Sequence, residues 1–206
     1  MGDIPATNKM VSAIFQSPKD GETKQANQAI EFAVKVANLQ AGSFTNPDVT
    51  YYAAPQALQN GQIIGHTHIT VQDMNGNKNP NNALDANTFA FFKGINDAGD
   101  GQGLLKANLA AGLPAGVYRA CSMTSSSNHA PVIMPVAQRG AQDDCIRFTV
   151  GQGQGGNNGG NNGGNNGQNN GQGQGQQGGQ GQGQQGGQGA KGRGRGRKFA
   201  ARDFVA

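Results

Sequence analysis

Hydrophobic and polar residues alternate along much of residues 11–150. In AIEFAVKVANL, Ile30, Phe32, Val34 and Val36 fall on one side, and Glu31 and Lys35 fall on the other. That is the two-residue period of a half-buried strand. Strand-like runs also occupy VSAIFQ, VTYYAA, QIIGHTHITVQ, TFAFFKGI, LLKANL, GVYRACSMT, PVIMPVA and CIRFTV, and none carries a helical period. Turn-forming Gly, Asn, Pro and Asp separate them, as in SPKDGE. Eight or nine short strands in series predict an all-β domain, an immunoglobulin-like antiparallel β-sandwich over residues 11–150 with residues 1–10 as a lead-in. GLPAGVYRA agrees with this, because a Pro–Ala–Gly turn launches an alternating strand with Tyr118 near its start. Phe89 and Phe91 alternate and are expected to feed the core.

The pattern stops at residue 151. Residues 151–189 contain only Gly, Gln and Asn, which supply flexibility and polarity but nothing to pack, so this stretch is expected to be a disordered linker. Residues 190–206 follow as a basic Arg–Gly tail. Charge divides the same way. Residues 1–150 carry ten Lys/Arg against eleven Asp/Glu, while residues 151–206 carry six basic residues and one acid. A globular nucleic-acid binder carries its basic patch on the fold, and here the fold is near neutral. The polyanion-binding candidates are therefore Lys191, Arg193, Arg195, Arg197 and Lys198 of KGRGRGRK. Such a cluster grips phosphates or acidic polysaccharide through charge, with little sequence preference. Three Arg–Gly units without interleaved aromatics make cell-wall polysaccharide or another polyanion the preferred partner over RNA. No stretch reaches the length of a membrane span.

Candidate chemistry inside the domain is sparse. His66 and His68 are two of the three histidines and share one face of a strand, with Thr67, Ile69 and Val71 on the core side. Imidazoles two residues apart on a strand can share one cation, Zn or Cu, and His129 is the sole candidate for a third ligand. The competing readings are an exposed pair on the solvated face, with His129 capping a turn, and a buried hydrogen-bonded role without metal. Cys121 and Cys145 permit one intrachain disulfide in an oxidising compartment. Such a bridge would contribute on the order of 3 kcal/mol through loop closure. Spacing leaves open whether their strands are neighbours or lie in opposite sheets. Glu occurs only at positions 22 and 31 and no G-x-S-x-G elbow is present, so the chain reads as a non-enzymatic binding or structural module without an obligate cofactor.

GSFTNPDVTYYAAPQAL, GQIIGHTHITVQ, FAFFKGIND and GLPAGVYRACSMTSSSNHAPVIMPVAQRGAQDDCIRFTV together resemble a group of fungal secreted proteins of unknown molecular function. The resemblance covers nearly all of residues 4–150 and does not reach the Gly/Gln/Asn tract. It implies an extracellular or cell-wall-associated protein and supplies no catalytic or binding residues. It also implies a signal peptide and a further segment ahead of MGDIPATNKMVSA. Met1 then reads as an internal methionine, and the complete form as exported.

Overall fold

A computed structural model describes residues 2–151. Ten strands and one short 3-10 turn, Thr7–Lys9, make up its regular structure. The strands are β1 (Ser12–Ser17), β2 (Thr23–Gln25), β3 (Ile30–Ala37), β4 (Leu39–Ala41) and β5 (Leu58–Gln59). They continue with β6 (Gln62–Asp73), β7 (Phe91–Ile95), β8 (Leu104–Leu109), β9 (Gly116–Ser126) and β10 (Cys145–Gly151). β1, β3 and β8 form a three-stranded sheet. The others form a seven-stranded sheet ordered β2-β10-β9-β6-β4, with β5 and β7 also paired to β6.

The expected alternation is present in β3, where Ile30, Phe32, Val34 and Val36 are buried while Glu31 is exposed. β6 and β10 turn Ile63, Ile69, Val71, Ile146, Phe148 and Val150 into the same core. Phe32 joins the two sheets. Its ring centroid lies 5.5 Å from Phe91 and 5.9 Å from Phe148, which come from the opposite sheet. The chain changes sheets at Asn38, between β3 and β4. A left-handed backbone there (φ 59) turns the chain, and the side-chain amide donates to the Met10 carbonyl at 2.9 Å.

Four expectations are corrected. The second sheet is mixed, because β2 runs parallel to β10 and β4 runs parallel to β6. PVIMPVA contributes only an isolated bridge at Pro131, since its two prolines lack the N–H groups that a ladder needs. VTYYAA forms turns, with Tyr52 in the left-handed region (φ 57), and both Tyr51 and Tyr52 are exposed. Phe89 precedes β7 and is 40 % exposed, so Phe91 alone of that pair packs on the core.

Cys121 and Cys145 form a disulfide and face each other across adjacent strands of one sheet, with Cα atoms 4.1 Å apart. Of the two placements left open by spacing, the structure has the neighbouring one. The linker and the tail, including Lys191, Arg193, Arg195, Arg197 and Lys198, lie outside the described residues.

Phe32 has no exposed surface and bridges the sheets. Phe32→Ala is expected to cost about 3–5 kcal/mol, read from urea unfolding midpoints. Ile14, 58 % exposed on β1, is expected to tolerate alanine with almost no shift in the same measurement.

Candidate metal centre

β6 and β9 pair antiparallel over nine residues, from Gly65↔Ser126 to Asp73↔Tyr118. This register sends Thr67, Ile69 and Val71 inward, and all three are fully buried. His66 and His68 consequently share the opposite face. Gly65 lets the strands close at this end, because an added Cβ would overlap the Ser125 carbonyl.

The histidine pair is not solvated. His66 is fully buried and His68 only 9 % exposed, which overturns the reading of an exposed pair. The face was assigned correctly, but residues 42–54 fold over it. This loop is laced to the first part of β6, at Gly65, and to the turn after β9 by main-chain bonds. Ser43 N donates to Gly65 O (3.1 Å), Thr45 N to Ser127 O (2.7 Å) and Tyr52 N to Asn128 O (3.0 Å). Ser43 and Ser127 also share a hydroxyl hydrogen bond of 2.8 Å.

His129 arrives from the other side. A tight turn follows β9, closed by His129 N donating to Ser126 O at 3.0 Å. The His129 backbone lies in the left-handed region (φ 70), uncommon for a residue with a side chain. That conformation turns its ring back over β6. The ring centroids of His68 and His129 lie 4.6 Å and 4.6 Å from that of His66.

The nitrogens define the chemistry. His66 Nδ1 faces the Ser43 carbonyl at 3.1 Å, His68 Nδ1 faces the Met123 carbonyl at 3.1 Å, and His129 Nε2 faces the Thr45 carbonyl at 2.7 Å. A carbonyl only accepts, so each of these outer nitrogens carries the proton and donates. The inner nitrogens of neutral rings then hold lone pairs. His66 Nε2 lies 3.1 Å from His68 Nε2 and 3.0 Å from His129 Nδ1, and in three neutral rings with these tautomers no proton lies between them. Protonating His66 would supply one, but its pKa is pushed down to about 3, first by burial and then by Coulombic repulsion between its proton and any on His68 or His129. Burial lowers that of His68 as well, against the Met123 carbonyl and the nearby Asp143 carboxylate.

Three acceptors therefore converge on one point, and all lie within 4.8 Å of one another. Zinc–imidazole bonds of about 2.0–2.1 Å in a tetrahedron would hold neighbouring nitrogens roughly 3.3 Å apart. The two spacings from His66 Nε2, 3.1 Å to His68 and 3.0 Å to His129, are within a few tenths of an ångström of that. Outer N–H groups bonded to carbonyls are also the usual means of fixing a ligating histidine's tautomer and raising its basicity.

Aromatic rings border the cluster. Phe92 stacks on His68 (5.2 Å), Phe44 meets His66 edge-on (6.1 Å), and Tyr51 stacks on both His129 (5.9 Å) and Tyr52 (4.2 Å). The three histidines were all identifiable in the sequence. The Ser43, Thr45 and Met123 carbonyls were not, because a main-chain acceptor leaves no residue-type signal.

Comparison with known proteins gives a family. The profile of the CLU5d N-terminal domain matches residues 13–151, nearly all of the β-domain. The chain is 60 % identical over 152 residues to "Pathogenicity cluster 5 protein d" of Colletotrichum graminicola (strain M1.001 / M2 / FGSC 10212). The aligned region is 73 % of this chain and 32 % of the relative, so the chain spans about a third of that protein's length.

The burial of His66 sets a pH dependence for the metal-free domain. The unfolded chain takes up this proton near the ordinary histidine value of 6.5, whereas the folded domain resists until about 3. The associated stability is complete above that ordinary value and is lost as pH falls through the interval. Melting temperature is expected to drop between about pH 7 and about pH 4, and His66→Asn is expected to flatten the slope over that range.

Proposed function

The chain belongs to the CLU5d N-terminal domain family, and on that premise we propose that its β-domain is a transition-metal-binding module working outside the reducing cytosol. One observation carries this reading: His66 Nε2 lies 3.1 Å from His68 Nε2 and 3.0 Å from His129 Nδ1, while the outer nitrogen of each ring faces a main-chain carbonyl. A cation at their common point removes the mutual repulsion of the lone pairs and satisfies all three at once. Zn(II) and copper both suit an imidazole set.

The compartment rests on the Cys121–Cys145 disulfide, a bond favoured in secreted and wall-bound proteins and rare in the cytosol. The module binds rather than turns over a substrate. Asp143, whose charge acts on His68, uses its Oδ1 to accept from Ser122 Oγ at 3.0 Å and from Thr124 N at 2.8 Å. An immunoglobulin-like ancestry is part of the proposal. Tyr118 Oη donates to the Pro114 carbonyl four residues upstream at 3.0 Å, the contact made by a tyrosine corner. The basic tail would add attachment to a wall polyanion, independently of the metal.

The purified 206-residue chain titrated with Zn(II) and with copper is expected to retain one equivalent after desalting, measured by elemental analysis. The variant with His66, His68 and His129 all changed to Ala is expected to retain none. Wild-type protein that holds neither metal stoichiometrically would end this reading.

A further inference from the structure

Resting on the three-histidine reading, we infer that the centre is a copper site and that the Met123 thioether is its fourth donor. The cross-strand register places Met123 directly opposite His68. Residues opposite one another in an antiparallel pair project from the same face, with Cβ atoms about 4.5–5.5 Å apart. His68 also donates from Nδ1 to the Met123 carbonyl, so the imidazole is tied to the residue that carries the sulfur.

The other neighbours on this face offer nothing equivalent. Ser125 stands opposite His66, and Cys121, opposite Thr70, is committed to the disulfide. On the far side of β6, His68 faces Gly94, which has no side chain. Among the described residues, Met74 is buried in the core, whereas Met123 is 46 % exposed. A methionine this open gains little from burial. Its unbranched side chain, with three rotatable bonds, is free to swing between solvent and the cluster.

Exposure graded from His66 through His68 to Met123 places the sulfur at the outer lip of the nitrogen set, where a cation arrives. Thioether sulfur is a soft donor that favours Cu(I), while Zn(II) is satisfied by imidazole and water. Three imidazoles with one thioether would therefore discriminate for copper in its reduced state.

The test uses the full chain, oxidised at its disulfide, with Cu(I) held by a competing chelator and Zn(II) titrated separately. Met123→Leu keeps volume and apolarity. It is expected to weaken Cu(I) binding by about tenfold or more while Zn(II) affinity stays unchanged. The Cu(I) X-ray absorption spectrum is expected to show a sulfur scatterer in the wild type that the variant lacks. Met123→Thr serves as a second variant, and melting of the metal-free proteins establishes that both fold. Equal Cu(I) affinity in wild type and both variants, or a wild-type spectrum with nitrogen scatterers alone, overturns the assignment of sulfur while leaving the three-histidine site intact. Failure of the wild type to bind either metal overturns both.

Discussion

The pairing of β6 with β9 governs both the core and the candidate site. The two strands stay in register for nine residues, so every side chain of β6 has its face decided at once. Odd positions from Ile63 to Val71 supply the interior, and even positions carry His66 and His68 to the other side. A one-residue slip would exchange the two sets and bury imidazoles among the apolar residues facing the three-stranded sheet. The absence of a side chain at Gly65 and the hydroxyl contact of Thr67 with Thr124 (3.2 Å) both sit within this pairing.

Everything at the site then follows from covering a face that the sheet alone would leave wet. The loop through Ser43 and Thr45 brings carbonyl oxygens to ring nitrogens, and the turn after β9 brings the third ring. Each contact does two jobs, removing water and dictating where a ring proton sits. Desolvation makes the rings reluctant to ionise, while the carbonyls prevent them from satisfying each other by exchanging tautomers. A partly satisfied polar network in a buried setting is costly. On the proposed reading, a bound metal ion would relieve that cost.

Much of the fold was legible in the sequence because strand periodicity is local. β3, β6, β9 and β10 show in the alternation of apolar residues, and the gathering of histidines into two segments pointed to the three rings that the fold brings together. The misses have local causes too. The two prolines of PVIMPVA overrode its apolar character, and the left-handed turn at Tyr52 broke what β-favouring residues suggested. The error about solvation was of another kind. Burial of His66 depends on an irregular loop from elsewhere in the chain, attached through main-chain atoms, and no periodicity announces such a cover. Likewise the disulfide partners were plain, but their sheet placement needed the β9–β10 register.

The groups that orient the three rings are carbonyl oxygens of Ser43, Thr45 and Met123, and every amino acid owns one. Substitution at positions 43 and 45 can therefore drift among family members without disturbing ring orientation, provided the path of the loop survives. Shared side chains at these positions are not required for the arrangement to be inherited. Length and shape of the covering segment, rather than its letters, are the trait to follow across distant relatives.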